Sequence, residues 1–162
     1  MDKQYHPVEI EEKWSKIWSE RVISNKDSDT SFSQVIPPPN VTGTLHMGHS
    51  FQYAIMDFYT RYHHMSGKDA HWQVGADHAG IATQMVVENN LAKKNVTRLG
   101  LGREKFVDEV WSWKNYSEEK ITSQIKRLGC SVDWSKYRFT LDDECNEAVI
   151  KAFVELHRKN KI

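Results

Sequence analysis

Apolar residues recur at intervals of three and four near the start of the chain. Ile10, Trp14, Ile17 and Trp18 share one helical face, extended by Arg21, and predict a helix over 8–21. Pro7 suits its first turn, where no amide partner is needed, and the acids Glu9, Glu11 and Glu12 complement the positive end of the helix dipole. A tryptophan stripe at this period predicts packing against other apolar residues. Residues 24–31 contain no large apolar side chain and read as a polar linker. The linker divides an N-terminal helical segment, 1–23, from a compact domain over 32–162.

Within that domain the pattern alternates between the periods of strand and helix. Phe32-Ser33-Gln34-Val35-Ile36 reads as a short strand, ended by Pro37-Pro38-Pro39, because proline donates no ladder hydrogen bond. From 48 to 65 the residues Phe51, Ala54, Ile55, Phe58, Tyr59 and Tyr62 fall on one helical face, taken as the buried one, and Gly67 is placed to end the helix in a left-handed cap. His71-Trp72-Gln73-Val74 predicts a second strand, Gly75 to Gly80 a turn, and 81–94 a helix. Strand, helix, strand, helix is the pattern of a parallel α/β sheet with flanking helices. Two further helices are predicted, over 103–127, stopping at Gly129, and over 142–159, begun by Thr140-Leu141-Asp142-Asp143. Two predicted strands are fewer than the roughly four to six of an ordinary open sheet, so the chain reads as a fragment of a larger domain with unpaired edges.

Composition narrows the function classes. The 162 residues carry 22 Lys+Arg against 22 Asp+Glu, and 39% are hydrophobic. A neutral chain without a basic block disfavours a nucleic-acid module held by charge, and no apolar run reaches the roughly 20 residues of a membrane span. Cys130 and Cys145 are not arranged as a disulfide framework or zinc knuckle, and nothing before the first helix reads as a secretory leader, so a cytoplasmic location is expected. Both thiols read as structural.

The candidate chemistry lies between the first strand and the helix at 48. Ligands of open α/β sheets collect at the carboxyl ends of strands, and a helix N-terminus offers unpaired amides to an anion. His46 and His49, three residues apart, can project to one side of a first helical turn, while Gly48 between them leaves room for a flat ring. Two imidazole donors beside a phosphate can stabilise charge developing in a displacement, where catalysis is mostly positioning and electrostatics. A zinc site from His46, His49, Asp77 and His78 is the competing reading, but the usual helical His-Glu-x-x-His arrangement is absent, and no protein-bound metal is expected. Asp77, taken alone, is equally a turn-forming residue before a helix. Trp111 and Trp113, with Phe106, Val107, Val110 and Ile121, are read as packing contacts, and His63 and His64 as exposed residues near a helix end.

The segment from Pro37 to His49, with His46-Met47-Gly48-His49 at its end, resembles the first signature of the class I aminoacyl-tRNA synthetases. Pro37-Pro38-Pro39-Asn40-Val41-Thr42-Gly43, Gly75 to Gln84, Leu101 to Phe106 and Leu128 to Ser135 are similar to the valine-activating branch. The resemblance covers nearly the whole chain. It implies the first half of a Rossmann-type catalytic domain, ending before an editing insertion. It also implies the activity of a parent enzyme, which activates valine with ATP to valyl-adenylate and transfers the acyl group to tRNA(Val). His46 and His49 match the catalytic pair on the ATP phosphates, Gly48 the position under adenine, and Thr42 a further phosphate contact. Asn40 and Asp77 match positions that hold the substrate ammonium, as a carboxylate and an amide oxygen can. Pro38 and Pro39 match a rigid wall beside the valine side chain.

ATP is implied as a substrate, with Mg2+ accompanying it, and the implied parent is a monomer without membrane attachment. A hydrophobic pocket rejects a hydroxyl-bearing isostere poorly, so editing is implied as well. The second family signature, a Lys-Met-Ser-Lys-Ser-like loop, and an anticodon-binding domain do not occur in these residues, so little or no aminoacylation is expected of this piece alone. Two alternatives stand beside this reading: a small nucleotidyltransferase with the same His-x-Gly-His helix start, and a non-catalytic truncated module.

Overall fold

The computed structural model of the chain describes residues 5–19 and 27–162. Arg21 and the first three residues of the expected linker, 24–26, lie outside the described residues. In chain order the elements are α1 (Pro7–Ser19), β1 (Ser31–Val35), α2 (Met47–Met65), β2 (Asp69–Gln73), β3 (Gly75–Ala76), α3 (Ile81–Ala92), α4 (Arg98–Leu101), α5 (Arg103–Arg127), a 3₁₀ turn (Trp134–Lys136), β4 (Arg138–Phe139) and α6 (Asp143–Arg158).

β1 and β2 run parallel, in register from Ser31 opposite Asp69 to Val35 opposite Gln73, and α2 is the crossover between them. α2 ends where Gly67 turns left-handed at φ +83°, the conformation the sequence reserved for it. The sheet bonds to the helix through a polar contact. Gln34 Nε2 donates to the Met56 carbonyl at 2.6 Å and to Thr60 Oγ1 at 2.5 Å. Trp72, Tyr53, Ile36, Val41 and Val74 are buried around this contact, with Ile121 and Ile125 of α5 closing the layer below.

The contact selects which face of α2 is buried, and it is not the face expected from the aromatic stripe. Tyr53 and Thr60 are fully buried, whereas Phe51, Ala54, Ile55, Phe58, Tyr59 and Tyr62 are exposed. α2 carries apolar residues on more than one face, so periodicity alone cannot orient it. The small hydroxyl of Thr60, which bonds Gln34, decides the matter. His63 and His64 also depart from expectation. Both are half-buried, and the His63 ring stacks on Phe32 with centroids 3.9 Å apart.

The stretch read as a turn from Gly75 begins instead with a strand. β3 pairs in parallel with β4, Gly75 opposite Arg138 and Ala76 opposite Phe139. A Cβ at Gly75 would lie 2.5 Å from the Arg138 carbonyl oxygen, so glycine is what allows the strands to close. Two-residue strands leave no alternation to detect, which is why the sequence showed two strands where the described residues hold four. The short α4 was missed for the same reason.

α5, anticipated at its observed limits, runs beneath the loop that follows β1. Its inward face alternates core residues with side chains that bond the loop backbone. Trp113 Nε1 donates to the Val41 carbonyl at 2.9 Å, Ser117 Oγ to the Gly43 carbonyl at 2.9 Å, and Gln124 Oε1 accepts from the Leu45 amide at 2.9 Å. Phe106 packs with Val87 and Leu91 of α3 in a second cluster. Trp111 is half-exposed and edge-on to Phe139. The α1 stripe docks rather than sinking into the core. Trp18 covers Gly129, where a Cβ would come within 2.6 Å of its ring, and the Arg61 guanidinium lies 5.0 Å from the ring centroid. Cys130 is a buried thiol whose pKa is pushed up to about 12 by burial and by nearby Asp57.

Two outcomes follow from this packing. Trp113→Phe keeps the ring and loses the bond to Val41; it is expected to lower unfolding free energy by about 1–2 kcal/mol, whereas Ile125→Ala is expected to lower it by about 2–5 kcal/mol, both read from urea midpoints. Phe51, Phe58 and Tyr62 on α2, with Val149, Ile150 and Phe153 on α6, leave wide apolar faces exposed. The isolated chain is therefore expected to self-associate as its concentration rises. A constant monomer mass by light scattering would contradict this.

Candidate active site

The loop leaving β1 is short of backbone donors, because Pro37, Pro38 and Pro39 supply none. Of these, Pro39 is buried and Pro38 exposed. Beyond them the chain meets the end of β3. Asn40 and Asp77 form a parallel bridge: the Asp77 amide donates to the Pro39 carbonyl at 2.9 Å, and the Val41 amide to the Asp77 carbonyl at 3.0 Å. The two residues matched to the substrate ammonium are therefore backbone neighbours at the carboxyl end of parallel strands, where α/β folds collect ligands.

From Val41 the loop crosses α5, held by Trp113, Ser117 and Gln124, with Thr42 half-buried in it, and delivers His46 to the start of α2. His46 is the N-cap, with extended backbone at φ −120° and ψ 173°. Serine or aspartate usually fills this role. Here the imidazole does so: His46 Nδ1 accepts from the Gly48 amide at 3.1 Å, and the His46 amide donates to His49 Nδ1 at 3.2 Å. This is a capping box made of two histidines. The rings lie 4.0 Å apart between centroids, at 43°. Gly48 makes the fold-back possible, since a Cβ there would lie 2.9 Å from His46 Cε1.

The cap assigns the protons. Each Nδ1 accepts, so in this arrangement both rings are neutral and carry their proton on Nε2, leaving two N–H donors uncommitted to the cap. Partial burial, and then the neighbouring His46, hold the His49 pKa below its ordinary 6.5. Both effects favour the neutral form that the cap requires.

The second half of the chain contributes residues that the sequence did not single out. Thr140, next after β4, faces the Asp77 turn: the His78 amide donates to Thr140 Oγ1 at 2.9 Å, His78 Nδ1 lies 2.5 Å from it, and Asp77 Oδ1 lies 3.4 Å from it. Asp77 Oδ1 also accepts from the Ala79 amide at 2.8 Å, so Asp77 shapes its turn as well as standing at the site. A cleft of about 550 Å³ borders this turn, lined by His78, Thr83, Trp111, Lys114, Phe139 and Leu141 among others. His46, His49 and Asn40 do not line it. Among the described residues no three His, Cys, Asp or Glu side chains gather as a metal site, and no helix is long and apolar enough to cross a membrane.

Comparison with known proteins gives this geometry a family. Residues 9–162 match the family described as tRNA synthetases class I (I, L, M and V). The valine–tRNA ligase of Acinetobacter baylyi is 56% identical over 159 residues, covering 98% of this chain and 16% of the relative. Those of Sphingopyxis alaskensis and Francisella tularensis are 48% and 50% identical, covering 18% and 17% of their lengths. The chain thus spans about a sixth of the curated relatives it matches. Among solved structures, the agnB2 LeuRS of Agrobacterium radiobacter K84, in a ternary complex with tRNA and LeuAMS, superposes with a TM-score of 0.74 at 21% identity. That match covers 97% of this chain and 19% of the other, and establishes the fold as that of a class I catalytic domain in part. On the family match and the identity to valine–tRNA ligases, the chain belongs to the class I tRNA synthetases of the I, L, M and V group.

Proposed function

We propose that this chain builds the first half of the adenylation site of a valine–tRNA ligase, a cytoplasmic enzyme that joins valine to tRNA(Val) at the expense of ATP. The observation that carries the proposal is the histidine capping box beside the Asn40–Asp77 bridge, on a chain about half identical to valine–tRNA ligases. In the reaction a valine carboxylate oxygen attacks the α-phosphorus of ATP and pyrophosphate leaves. His46 and His49 turn their Nε2–H donors to the phosphates, and the α2 N-terminus adds its dipole. Negative charge grows on the phosphoryl oxygens as the bond to pyrophosphate breaks, and donors fixed in advance by a cap stabilise it without reorganising.

Asp77 and the Asn40 amide oxygen receive the ammonium, a charge-assisted arrangement. Pro38 and Pro39 border the aliphatic side chain, Gly48 leaves the space beneath adenine, and Thr42 adds a hydroxyl toward the phosphates. Mg2+ enters as part of the ATP substrate complex. The remaining part of the parent supplies the rest of the site, so the isolated chain charges tRNA weakly or not at all.

Isothermal titration with a non-hydrolysable valyl-adenylate analogue tests the site. Saturable binding is expected, weakened at least about tenfold by His46→Ala/His49→Ala and by Asp77→Ala, and weaker for the leucyl analogue. Binding unchanged in both variants, or equal for the two analogues, would overturn the proposal.

The cap also predicts a pH dependence. His49 binds its proton less readily when folded than when unfolded. Just below 6.5 the unfolded chain therefore holds more protons, and the contribution of this group to stability is lost as pH falls through the lowered folded value. Between pH 7.5 and about 5.5 the wild-type chain is expected to lose more stability than His49→Gln in urea unfolding. Equal losses would show that the cap does not titrate.

A further inference from the structure

The parallel register of β3 and β4 places Gly75 opposite Arg138 and Ala76 opposite Phe139, so the next residues along, Asp77 and Thr140, come to face each other. The Thr140 amide continues the ladder by donating to the Ala76 carbonyl at 3.1 Å. The Thr140 hydroxyl then has three polar neighbours: the His78 amide, His78 Nδ1 and Asp77 Oδ1. A hydroxyl has one proton and two lone pairs. All three neighbours are satisfied in one arrangement: Oγ1 accepts from the His78 amide and from Nδ1–H, and donates its own proton to the Asp77 carboxylate. Donation to an ionised acceptor is also the stronger choice.

The surrounding turn depends on this anchor. Ala79 has φ +52°, a left-handed conformation uncommon for a residue with a Cβ, and Gly80 follows at φ +43°. Asp77 Oδ1 is committed within the turn, to the Ala79 amide and Thr140. Its Oδ2 makes no hydrogen bond among the described residues, and the side chain is 38% exposed.

We infer that Thr140 is a positioning residue of the amino-acid site, its hydroxyl holding Asp77 through Oδ1 so that Oδ2 is turned to the ammonium of the ligand. The inference rests on Asp77 being the ammonium-binding carboxylate. It extends the site to a residue 63 positions away in sequence, supplied by the strand that pairs with β3.

The test uses the chain with Thr140→Val, Thr140→Ser and Asp77→Asn. Two probes are titrated calorimetrically: the valyl-adenylate analogue and its des-amino isovaleryl counterpart. Thr140→Val is expected to weaken the amino probe about tenfold and the des-amino probe less than about twofold, with Thr140→Ser near wild type. Equal weakening of both probes would mean a merely structural threonine and would overturn the inference. Long-range ¹H–¹⁵N spectra at alkaline pH give a second readout. They should show His78 protonated on Nδ1 in the wild type and Thr140→Ser, and not in Thr140→Val; a wild-type ring protonated on Nε2 would equally overturn it. If Asp77→Asn keeps the preference for the amino probe, the ammonium reading of Asp77 fails. If Asp77→Asn loses the preference and Thr140→Val keeps it, the role of Thr140 fails alone.

Discussion

Everything at the site hangs on how the backbone of the loop between β1 and α2 is satisfied. Three prolines remove donors from that loop, and it belongs to no regular element, yet its polar groups approach a buried layer. An unpaired buried carbonyl or amide costs about 1–3 kcal/mol. One face of α5 answers this with Trp113, Ser117 and Gln124, whose side chains reach the backbone of residues 41, 43 and 45. Ile121 and Ile125 on the same helix fill the core between those contacts. The same helix therefore supplies apolar burial and loop geometry, and the loop in turn sets where His46 begins α2.

The histidine cap joins stability to chemistry in a similar way. An N-cap of serine or aspartate would satisfy the first amides of α2 equally well. Histidine does so with Nδ1 and leaves Nε2 outside the cap, so one ring both starts the helix and keeps a donor for other contacts. The cost is a dependence on protonation, since an imidazolium cannot accept the bonds that close the box. Burial and the second ring keep His49 on the neutral side.

Much of this was legible in the sequence. The order of β1, α2, β2 and α3, the limits of α5 and the histidine pair at a strand-to-helix junction came from periodicity, proline placement and spacing. What stayed hidden was decided by contacts between distant segments. The buried face of α2 depends on Gln34 finding Thr60, which no aromatic stripe reveals. β3 and β4 are too short to carry a period, so Gly75 and Ala76 looked like turn residues until Arg138 and Phe139 paired with them. Trp113, Ser117 and Gln124 share a face of α5, but a mixed polar and aromatic face does not announce that it binds a loop.

The pairing of β3 with β4 has a kinetic side. His46 and His49 cap a helix within four residues, an interaction that needs only local chain closure. Asn40 and Asp77 meet across 37 positions, while Thr140 reaches Asp77 only after α3, α4 and α5 have brought β4 back alongside β3. Contacts of long sequence separation carry the larger closure entropy and form late in folding. The capped start of α2 is therefore closed by local contacts once the loop is seated on α5, whereas the Asp77 side chain gains its Thr140 partner only when residues 138–140 are in place. Substitutions along β4 should accordingly disturb the Asp77 turn before they disturb the capped start of α2, whereas substitutions at Trp113, Ser117 or Gln124 of α5 reach the cap through the loop that they hold.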